Sequence, residues 1–203
     1  MRYHVRMNVA VRHPAMSREQ FLDWVQRQEG RFEFDGYRPI PMTGGSRNHS
    51  LIAVNILVAL RTRLRGSSFW VLGPDAGLAT GGSAVRYPDL IVTSSRGSGD
   101  DLLIPDVVVA FEVVSPTSVR TDRVVKLREY LGVASMRRYV IVEQAAAALT
   151  VLERDERGTA WQARALARGE SLAMPEIAIE VPVSEFYEDV DLPDEPTSDA
   201  ETS

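Results

Sequence analysis

The sequence predicts an α/β fold built on a mixed β-sheet. Residues 107–114 (VVVAFEVV) form a nearly continuous apolar run, which is typical of a strand buried on both faces at the centre of a sheet. A helix-like segment then leads to a second apolar run at 137–143, so that 107–143 has strand–helix–strand order. Further β-rich and helix-periodic segments surround this unit without any internal repeat, as expected for one α/β domain in which helices pack on a sheet.

The N-terminal part predicts a helix, a hairpin and a longer helix. Residues 17–20 carry the Ser-x-x-Gln signature of a capping box, and apolar residues continue a short amphipathic helix to about Glu29. Residues alternate in polarity around the Asp-Gly pair at 35–36, which indicates a β-hairpin. From 46 to 65 apolar residues recur at helical spacing, and Gly66 is a typical residue for ending such a helix.

Two β-rich segments follow before the central run. Residues 69–73 (FWVLG) predict a short apolar strand, and residues 85–93 (VRYPDLIVT) predict a longer one. Pro88 lies inside the longer segment and indicates a bulge or a break in its pairing, because proline cannot donate a backbone hydrogen bond.

The chain after the central run predicts a helix and then mainly strands. We expect a helix over 122–131 that folds back over the sheet and ends at Gly132. The apolar residues expected on its inner face are Val125, Leu127, Tyr130 and Leu131, which places Lys126 near the edge of that face. The later elements are a buried strand at 137–143, a hairpin over 147–166 with its turn near 156–158, a strand at 177–182 and a short closing helix at 184–190.

Composition indicates one ordinary globular domain with an acidic end. The chain has 203 residues, of which 44% are hydrophobic and 25% charged, enough for a single core. We expect an N-terminal extension over 1–16, one domain over 17–190 and an acidic, disordered tail over 191–203. Seven acidic residues and no basic ones lie after residue 187, so the net charge of −5 belongs to this end and not to the body.

The cellular setting is predicted from what the sequence lacks. There are no cysteines, which excludes disulfides and cysteine-ligated zinc. No apolar run reaches the roughly 20 residues that cross a bilayer, and the first residues have no continuous apolar segment of the kind found in signal peptides. We therefore expect a cytoplasmic protein without a membrane partner.

Two carboxylates are candidates for a metal site. Glu112 is the one charge in the central apolar run, and Asp89 follows Pro88 at the start of an apolar strand. Carboxylates at neighbouring strand ends repel each other unless a positive group lies between them. A Mg²⁺ ion meets this need, because it prefers oxygen ligands and commonly takes one or two carboxylates from a protein. Glu33, in the first hairpin, is a possible third oxygen ligand.

Lys126 is the single lysine among the 23 basic residues and lies in the helix that leaves the Glu112 strand. A lysine ammonium is a compact point charge whose pKa falls when it is desolvated, so that it can position or help to activate a water. A plainer alternative is a surface ion pair with Asp122, since the two residues are four apart on a helix.

These segments resemble the PD-(D/E)XK nuclease superfamily, and specifically its Uma-type restriction endonuclease family. The resemblance lies in YPDLIV, in FEVVSPTSVRTDRVVKLREYLGV and in RRYVIVE, taken in this order, and it extends to the upstream WVQRQEGRFEFDGYRPIPMTGGSRNHS and to EFYEDV near the end. It covers about residues 17 to 190. Position 114, two residues after Glu112, departs from the wider superfamily, which has a lysine there whereas this chain has valine.

The resemblance implies a restriction-endonuclease-like core, a central mixed sheet flanked by helices, and Mg²⁺-dependent hydrolysis of DNA phosphodiesters, with Mn²⁺ able to substitute. By that resemblance Asp89 and Glu112 would hold the metal with the backbone carbonyl of Val113, and Lys126 would be the catalytic lysine. Glu33 would be an accessory ligand. The resemblance also includes His49, at the start of the long helix, to which it assigns no role.

Several alternatives stay open at this point. Glu112 is open to an ordinary pairing with an arginine, and Asp89 to capping a turn. Glu33 is equally open to pairing with Arg31 or Arg38 across its hairpin, and His49 to a hydrogen bond at a helix start. The same fold also serves as a catalytically idle module that binds nucleic acid or a protein. A homodimer is plausible, since nucleases that cut both strands often pair with two-fold symmetry.

Overall fold

The computed structural model of the chain describes residues 15–114 and 120–192, and within these it contains three α-helices and twelve strands. The helices are α1 (Arg18–Val25), α2 (Arg47–Arg63) and α3 (Arg120–Leu131). The strands are β1 (Phe32–Phe34), β2 (Pro39–Pro41), β3 (Trp70–Leu72), β4 (Leu78–Ala79), β5 (Val85–Arg86), β6 (Leu90–Thr93), β7 (Val107–Val114), β8 (Arg138–Glu143), β9 (Ala148–Arg154), β10 (Trp161–Ala167), β11 (Ser171–Met174) and β12 (Ile179–Pro182). Two short 3₁₀ segments cover Pro175–Ile177 and Val183–Tyr187.

The main sheet has six strands in the order β10-β9-β8-β7-β6-β3. Strands β7 and β8 are parallel, with α3 between them in the chain, and every other neighbouring pair is antiparallel. The apolar run at 107–114 is therefore an inner strand of a mixed sheet, and both predictions are confirmed. Its length of eight residues and near-complete burial fit a strand covered on both faces.

Helices α2 and α3 cover opposite faces of this sheet. Phe111 packs in the core that contains Ile56 of α2, whereas its neighbour Ala110 packs in the core that contains Tyr130 of α3. Successive residues of a strand point to opposite faces, so Glu112 lies on the same face as Ala110. The central strand thus directs its one carboxylate toward α3.

A smaller sheet has four strands in the order β2-β1-β5-β4. The predicted hairpin is its β1–β2 pair, with Gly36 in the turn at a φ of 90° that favours glycine. Helix α1 packs on this sheet, where the rings of Phe21 and Phe34 stack with their centroids 4.9 Å apart. A third pair, β11–β12, forms a separate hairpin.

The segment 85–93 belongs to both sheets. Its first part is β5, which pairs with β1 and β4, and its second part is β6, which pairs with β3 and β7. Tyr87, Pro88 and Asp89 lie between the two strands, outside any ladder. The break expected at Pro88 is therefore confirmed, and it is a change of sheet.

Three details differ from the sequence-based expectation. Helix α1 ends at Val25 and not near Glu29, with Gln26 as its C-cap. Val125 does not lie on the inner face of α3, because the residue is 44% exposed, whereas Leu127, Tyr130 and Leu131 do pack inward. Residues 126 and 130 are one turn apart and share a face, which brings Lys126 inward as well.

Strands β4 and β11 were not predicted, since neither short segment has a clear alternation.

The predicted ends of the domain fall largely outside the described residues. Of the expected extension at 1–16 the structure describes residues 15 and 16, and of the expected tail at 191–203 it describes residues 191 and 192. The closing helix predicted at 184–190 is the 3₁₀ segment Val183–Tyr187. Among the helices described, none combines the length and apolar character needed to span a bilayer.

Candidate active site

Asp89 and Glu112 face each other at one end of the main sheet. Leu90 of β6 pairs with Phe111 of β7 in antiparallel register, so the next step of this register sets Asp89 opposite Glu112. Residues directly opposite in an antiparallel pair place their side chains on the same face. The two candidate metal ligands are therefore neighbours in space although 23 positions separate them in the chain.

Two nitrogen atoms contact the carboxylate of Asp89, one at each oxygen. The backbone N–H of Val113 donates to Oδ2 at 2.7 Å, and Nε2 of His49 lies 3.3 Å from Oδ1. The contact with Asp89 raises the pKa of the His49 imidazole, although partial burial opposes this shift. The alternative in which Asp89 caps a local turn is not seen, since its amide partner belongs to β7.

Glu112 lies in a nearly closed environment, with 14% of its side chain exposed. Lys126 Nζ donates to its Oε1 at 3.2 Å, and the Tyr130 hydroxyl lies 3.3 Å from its Oε2 as donor. Burial raises the pKa of this carboxyl to about 7, since the nearby Lys126 ammonium only partly offsets it and the negative charges of Asp89 and Glu33 add to the rise. Glu112 pairs with the lysine, and so the expected alternative of an arginine partner is not what the structure shows.

Lys126 joins two carboxylates. Its Nζ lies 3.0 Å from Oε1 of Glu33 and 3.2 Å from Oε1 of Glu112, and its side chain is 16% exposed. An ammonium with three donors in a compact head can serve two acceptors on different elements in this way. The structure therefore brings together the single lysine of the chain and the carboxylate of the central strand. The side chain of Asp122, the alternative surface partner, lies outside what the structure describes.

Glu33 is held by a second cation that the sequence analysis missed. Arg86 Nη1 donates to Glu33 Oε2 at 3.0 Å, and the rest of its guanidinium binds Glu129 of α3 at 2.6 and 3.0 Å. Burial of Arg86 works against its charge, yet these carboxylates raise its pKa overall. Arg31 and Arg38, the expected partners of Glu33, contact Asp75 and Asp35 instead.

A signal for Arg86 was available in the sequence. Phe34 pairs with Val85, so the adjacent positions Glu33 and Arg86 stand opposite each other in the smaller sheet. Recognising it required treating residues 85–86 as a strand of the hairpin sheet and not as the start of β6. Glu129 then completes the set, because it lies three residues after Lys126 on α3 and contacts Arg86 from the same helix.

The donor set fits a hard divalent cation at the Asp89–Glu112 pair. Both are oxygen ligands, and the proximity of Asp89 and Glu33 is one cause of the raised pKa of Glu112, a repulsion that a cation would relieve. Two carboxylates suffice for Mg²⁺, which usually keeps several waters. Across the described residues, no cluster of three or more His, Cys, Asp or Glu is arranged to hold a metal ion.

The two further ligands expected from the resemblance stay predictions. Glu33 lies in the same cluster, but its Oε1 contacts Lys126 and its Oε2 contacts Arg86. The carbonyl of Val113 belongs to a residue whose amide donates to Asp89, so its backbone is at the site.

Comparison with known proteins is consistent with this fold. The family model described as "Uma2: Putative restriction endonuclease" matches residues 18–184. The chain is 26% identical over 178 residues to "Uncharacterized protein slr1290" of Synechocystis sp., which covers 86% of this chain and 92% of that protein. A crystal structure of "a putative nuclease belonging to DUF820" from Anabaena variabilis superposes with a TM-score of 0.67 at 13% identity, over 85% of this chain and 98% of the other. Because the family model spans most of the chain, the protein belongs to the Uma2 family, whose model carries the description of a putative restriction endonuclease.

Proposed function

We propose that this protein is a Mg²⁺-dependent endonuclease that hydrolyses phosphodiester bonds in DNA, with Mn²⁺ able to replace Mg²⁺. One observation carries the proposal: Asp89, Glu112 and Lys126, which come from three separate segments of the chain, converge in one cluster with Lys126 Nζ 3.2 Å from Glu112 Oε1. Membership of the Uma2 family supports the same chemistry. Protein ligands for a metal and a nearby ammonium are the groups that phosphodiester hydrolysis needs.

Each residue of the cluster has a defined part in the proposed mechanism. Asp89 and Glu112 supply the oxygen ligands, with the Val113 carbonyl as a further donor from the same strand. A Mg²⁺ ion held by these ligands would supply Lewis-acid chemistry, which polarises a phosphoryl oxygen and lowers the pKa of a bound water. Lys126 orients the attacking water and offsets the negative charge that develops on the phosphoryl group. Glu33 fixes the direction of the Lys126 ammonium through its 3.0 Å contact and is itself fixed by Arg86.

A catalytically idle binding module on the same fold is the second candidate. It is favoured by the way in which the acids are compensated without a metal, since Lys126 contacts Glu33 and Glu112 while His49 contacts Asp89. A module of this kind binds DNA or a protein through the same face and cleaves nothing. It therefore differs from the nuclease in two measurable ways: it cleaves no DNA, and its DNA binding does not depend on the two acids.

Cleavage assays with matched variants test the proposal. Supercoiled, linear duplex, single-stranded and branched DNA are incubated with Mg²⁺, with Mn²⁺ or with EDTA. Wild-type protein is expected to cleave at least one of them only with metal, and Asp89→Asn, Glu112→Gln and Lys126→Met are each expected to lower the rate by about 100-fold or more. Glu185→Gln is the matched control, because it removes a partly buried carboxylate that pairs with Arg63 outside the cluster.

The outcomes separate the two candidates. Equal cleavage by wild type and by Lys126→Met would identify a contaminating nuclease and remove the support for this mechanism. If the protein cleaves none of the substrates and its DNA binding survives replacement of both acids, the protein is the idle module and not the nuclease.

A further inference from the structure

His49 occupies a position that local structure fixes closely. It is the third residue of α2, and its backbone N–H donates to the side chain of Ser46, the N-cap, at 3.2 Å. Its imidazole lies against Gly45, where an added Cβ would come within 2.7 Å of both Cγ and Nδ1. Real side chains do not tolerate that distance, so a glycine at 45 leaves the space that the ring fills. The helix start is therefore arranged around the ring as well as around the backbone.

The ring is directed at Asp89 across the end of the sheet. Its Nε2 lies 3.3 Å from Asp89 Oδ1, and the other carboxylate oxygen accepts from the amide of Val113 at 2.7 Å. One of these nitrogen atoms belongs to α2 and the other to β7, so the carboxylate is held from two elements that are both packed in the core. A carboxylate has about four acceptor sites, and the two contacts made by the described residues occupy two of them.

We propose that His49 is a positioning residue, which holds the Asp89 carboxylate in the orientation that binds the divalent cation without itself becoming a ligand. This assignment rests on the proposed function, because it concerns the same metal. A carboxylate that is fixed before the metal arrives loses less conformational freedom when the metal binds. Partners that orient metal ligands commonly change metal affinity by 10- to 100-fold when they are removed.

Metal titrations of the purified protein test this role without any measurement of cleavage. Binding of Mg²⁺ and of Mn²⁺ is measured separately by calorimetry, with the metal-free melting temperature recorded for each variant. His49→Ala is expected to weaken both metals by about 10-fold and to a similar degree. His49→Gln is expected to recover most of the affinity, since its side-chain amide can place an N–H near the position of Nε2. The N-cap uses only the backbone of residue 49, so it survives both substitutions.

Two glycine variants provide a matched pair that leaves His49 in place. Gly45→Ala is expected to displace the ring and to reproduce the loss seen with His49→Ala. Gly44→Ala is the control, because an added Cβ at residue 44 meets no atom within 4 Å. It is expected to bind both metals as the wild type does.

Three results of the metal titrations would overturn the positioning role of His49. Unchanged affinity in His49→Ala overturns the assignment and leaves His49 as a helix-start residue only. A loss confined to one of the two metals also overturns it, because the orientation of the Asp89 carboxylate should affect both metals alike. If wild-type protein binds neither metal, the proposed Mg²⁺-dependent function fails, and the positioning role fails with it.

Discussion

At the scale of single residues, the main feature of the site is that its carboxylates are only partly neutralised by nearby cations. Among the described residues, the one cation in contact with Glu112 is Lys126, which is shared with Glu33. Burial therefore raises the pKa of Glu112 to about 7 despite the nearby ammonium. A carboxyl in this state is ionised or neutral depending on small changes of pH, and a bound cation would favour the ionised form.

The raised pKa predicts that Glu112→Gln stabilises the metal-free protein at alkaline pH. The carboxyl binds a proton more tightly in the folded state, where its pKa is about 7, than at its ordinary value of 4.5. The free energy of unfolding therefore falls as the pH rises from about 4.5 to above 7, by about 3 kcal/mol in total. Glutamine avoids this loss. In EDTA, urea unfolding should show Glu112→Gln more stable than wild type at pH 8, with the difference disappearing near pH 4.5.

The control for this pH effect is Glu185→Gln, which lies outside the cluster. It should show no comparable gain in stability between pH 4.5 and pH 8. A wild-type protein whose stability does not fall over this range relative to Glu112→Gln would contradict the raised pKa.

At the scale of elements, an ionic network ties α3 to both sheets. It runs from Glu112 in the main sheet to Lys126 on α3, on to Glu33 and Arg86 in the smaller sheet, and back to α3 at Glu129. The helix that carries the lysine is thus attached at two points one turn apart. Through these contacts the smaller sheet helps to position the helix, although it contributes none of the three residues proposed as catalytic.

Removal of the central arginine should be costly. Arg86→Met leaves Glu33 and Glu129 without their guanidinium partner, and the arginine side chain is only 4% exposed. Breaking a buried pair by removing one member typically costs 3–5 kcal/mol, so we expect a loss of about that size in urea unfolding at pH 7. Arg63→Met is the matched control, since its ion pair with Glu185 is about a third exposed and should cost about 1 kcal/mol or less. Similar losses for the two variants would contradict the network.

The elements also show which parts of the fold the sequence could predict. The central strand has a continuous apolar run and was predicted with its bounds, whereas the long helix and the two hairpins have clear local patterns and were predicted with errors of a few residues at their ends. Strand β4 has two residues and β11 four, which is too short for periodicity to be measured. The end of α1 was missed because the polar residues after Val25 have helical propensity without a terminating signal.

The site was predicted in part, for a physical reason. Asp89, Glu112, Lys126, Glu33 and His49 were all named from the sequence, and the structure places them in one cluster. Arg86 and Glu129 were not named, because Arg86 is recognised only when residues 85–86 are assigned to the same sheet as Glu33, and Glu129 reaches Arg86 only once α3 is docked. The inward direction of Lys126 was also underestimated, since Val125 was assigned to the face that Lys126 and Tyr130 occupy.

At the scale of the whole molecule, charge is distributed unevenly along the chain. The net charge is −5, and seven of the 28 acidic residues lie after residue 187, where there is no basic residue. The described chain near this end runs along α2, where Asn55 Nδ2 donates to the carbonyl of Glu188 and Asn48 Nδ2 to that of Asp191. Asn48 is next to His49 in α2, so Asp191, near the end of the described chain, lies close to the residue that contacts Asp89.

Truncation after Leu192 should therefore strengthen DNA binding. It removes four acidic side chains (Asp194, Glu195, Asp199 and Glu201) and changes the net charge from −5 to −1. Less repulsion from a polyanion is expected to raise DNA affinity, most clearly at low salt, where charges are least screened. Fluorescence anisotropy with labelled duplex at 50 and 300 mM salt measures the change. Replacing the four acids by their amides is the control for length, and an unchanged affinity in both variants would contradict the expectation.

The passage of residues 85–93 from one sheet to the other limits how this protein can vary. Arg86 is the last residue of β5 and Asp89 immediately precedes β6, so only two residues separate the anchor of the lysine network from an acid of the pair. An insertion between Tyr87 and Pro88 would leave each ladder intact and yet shift the two halves of the site against each other. Loop 94–106 joins β6 to β7 at the opposite end of those strands, where a change in length would leave the spacing between Arg86 and Asp89 unaltered.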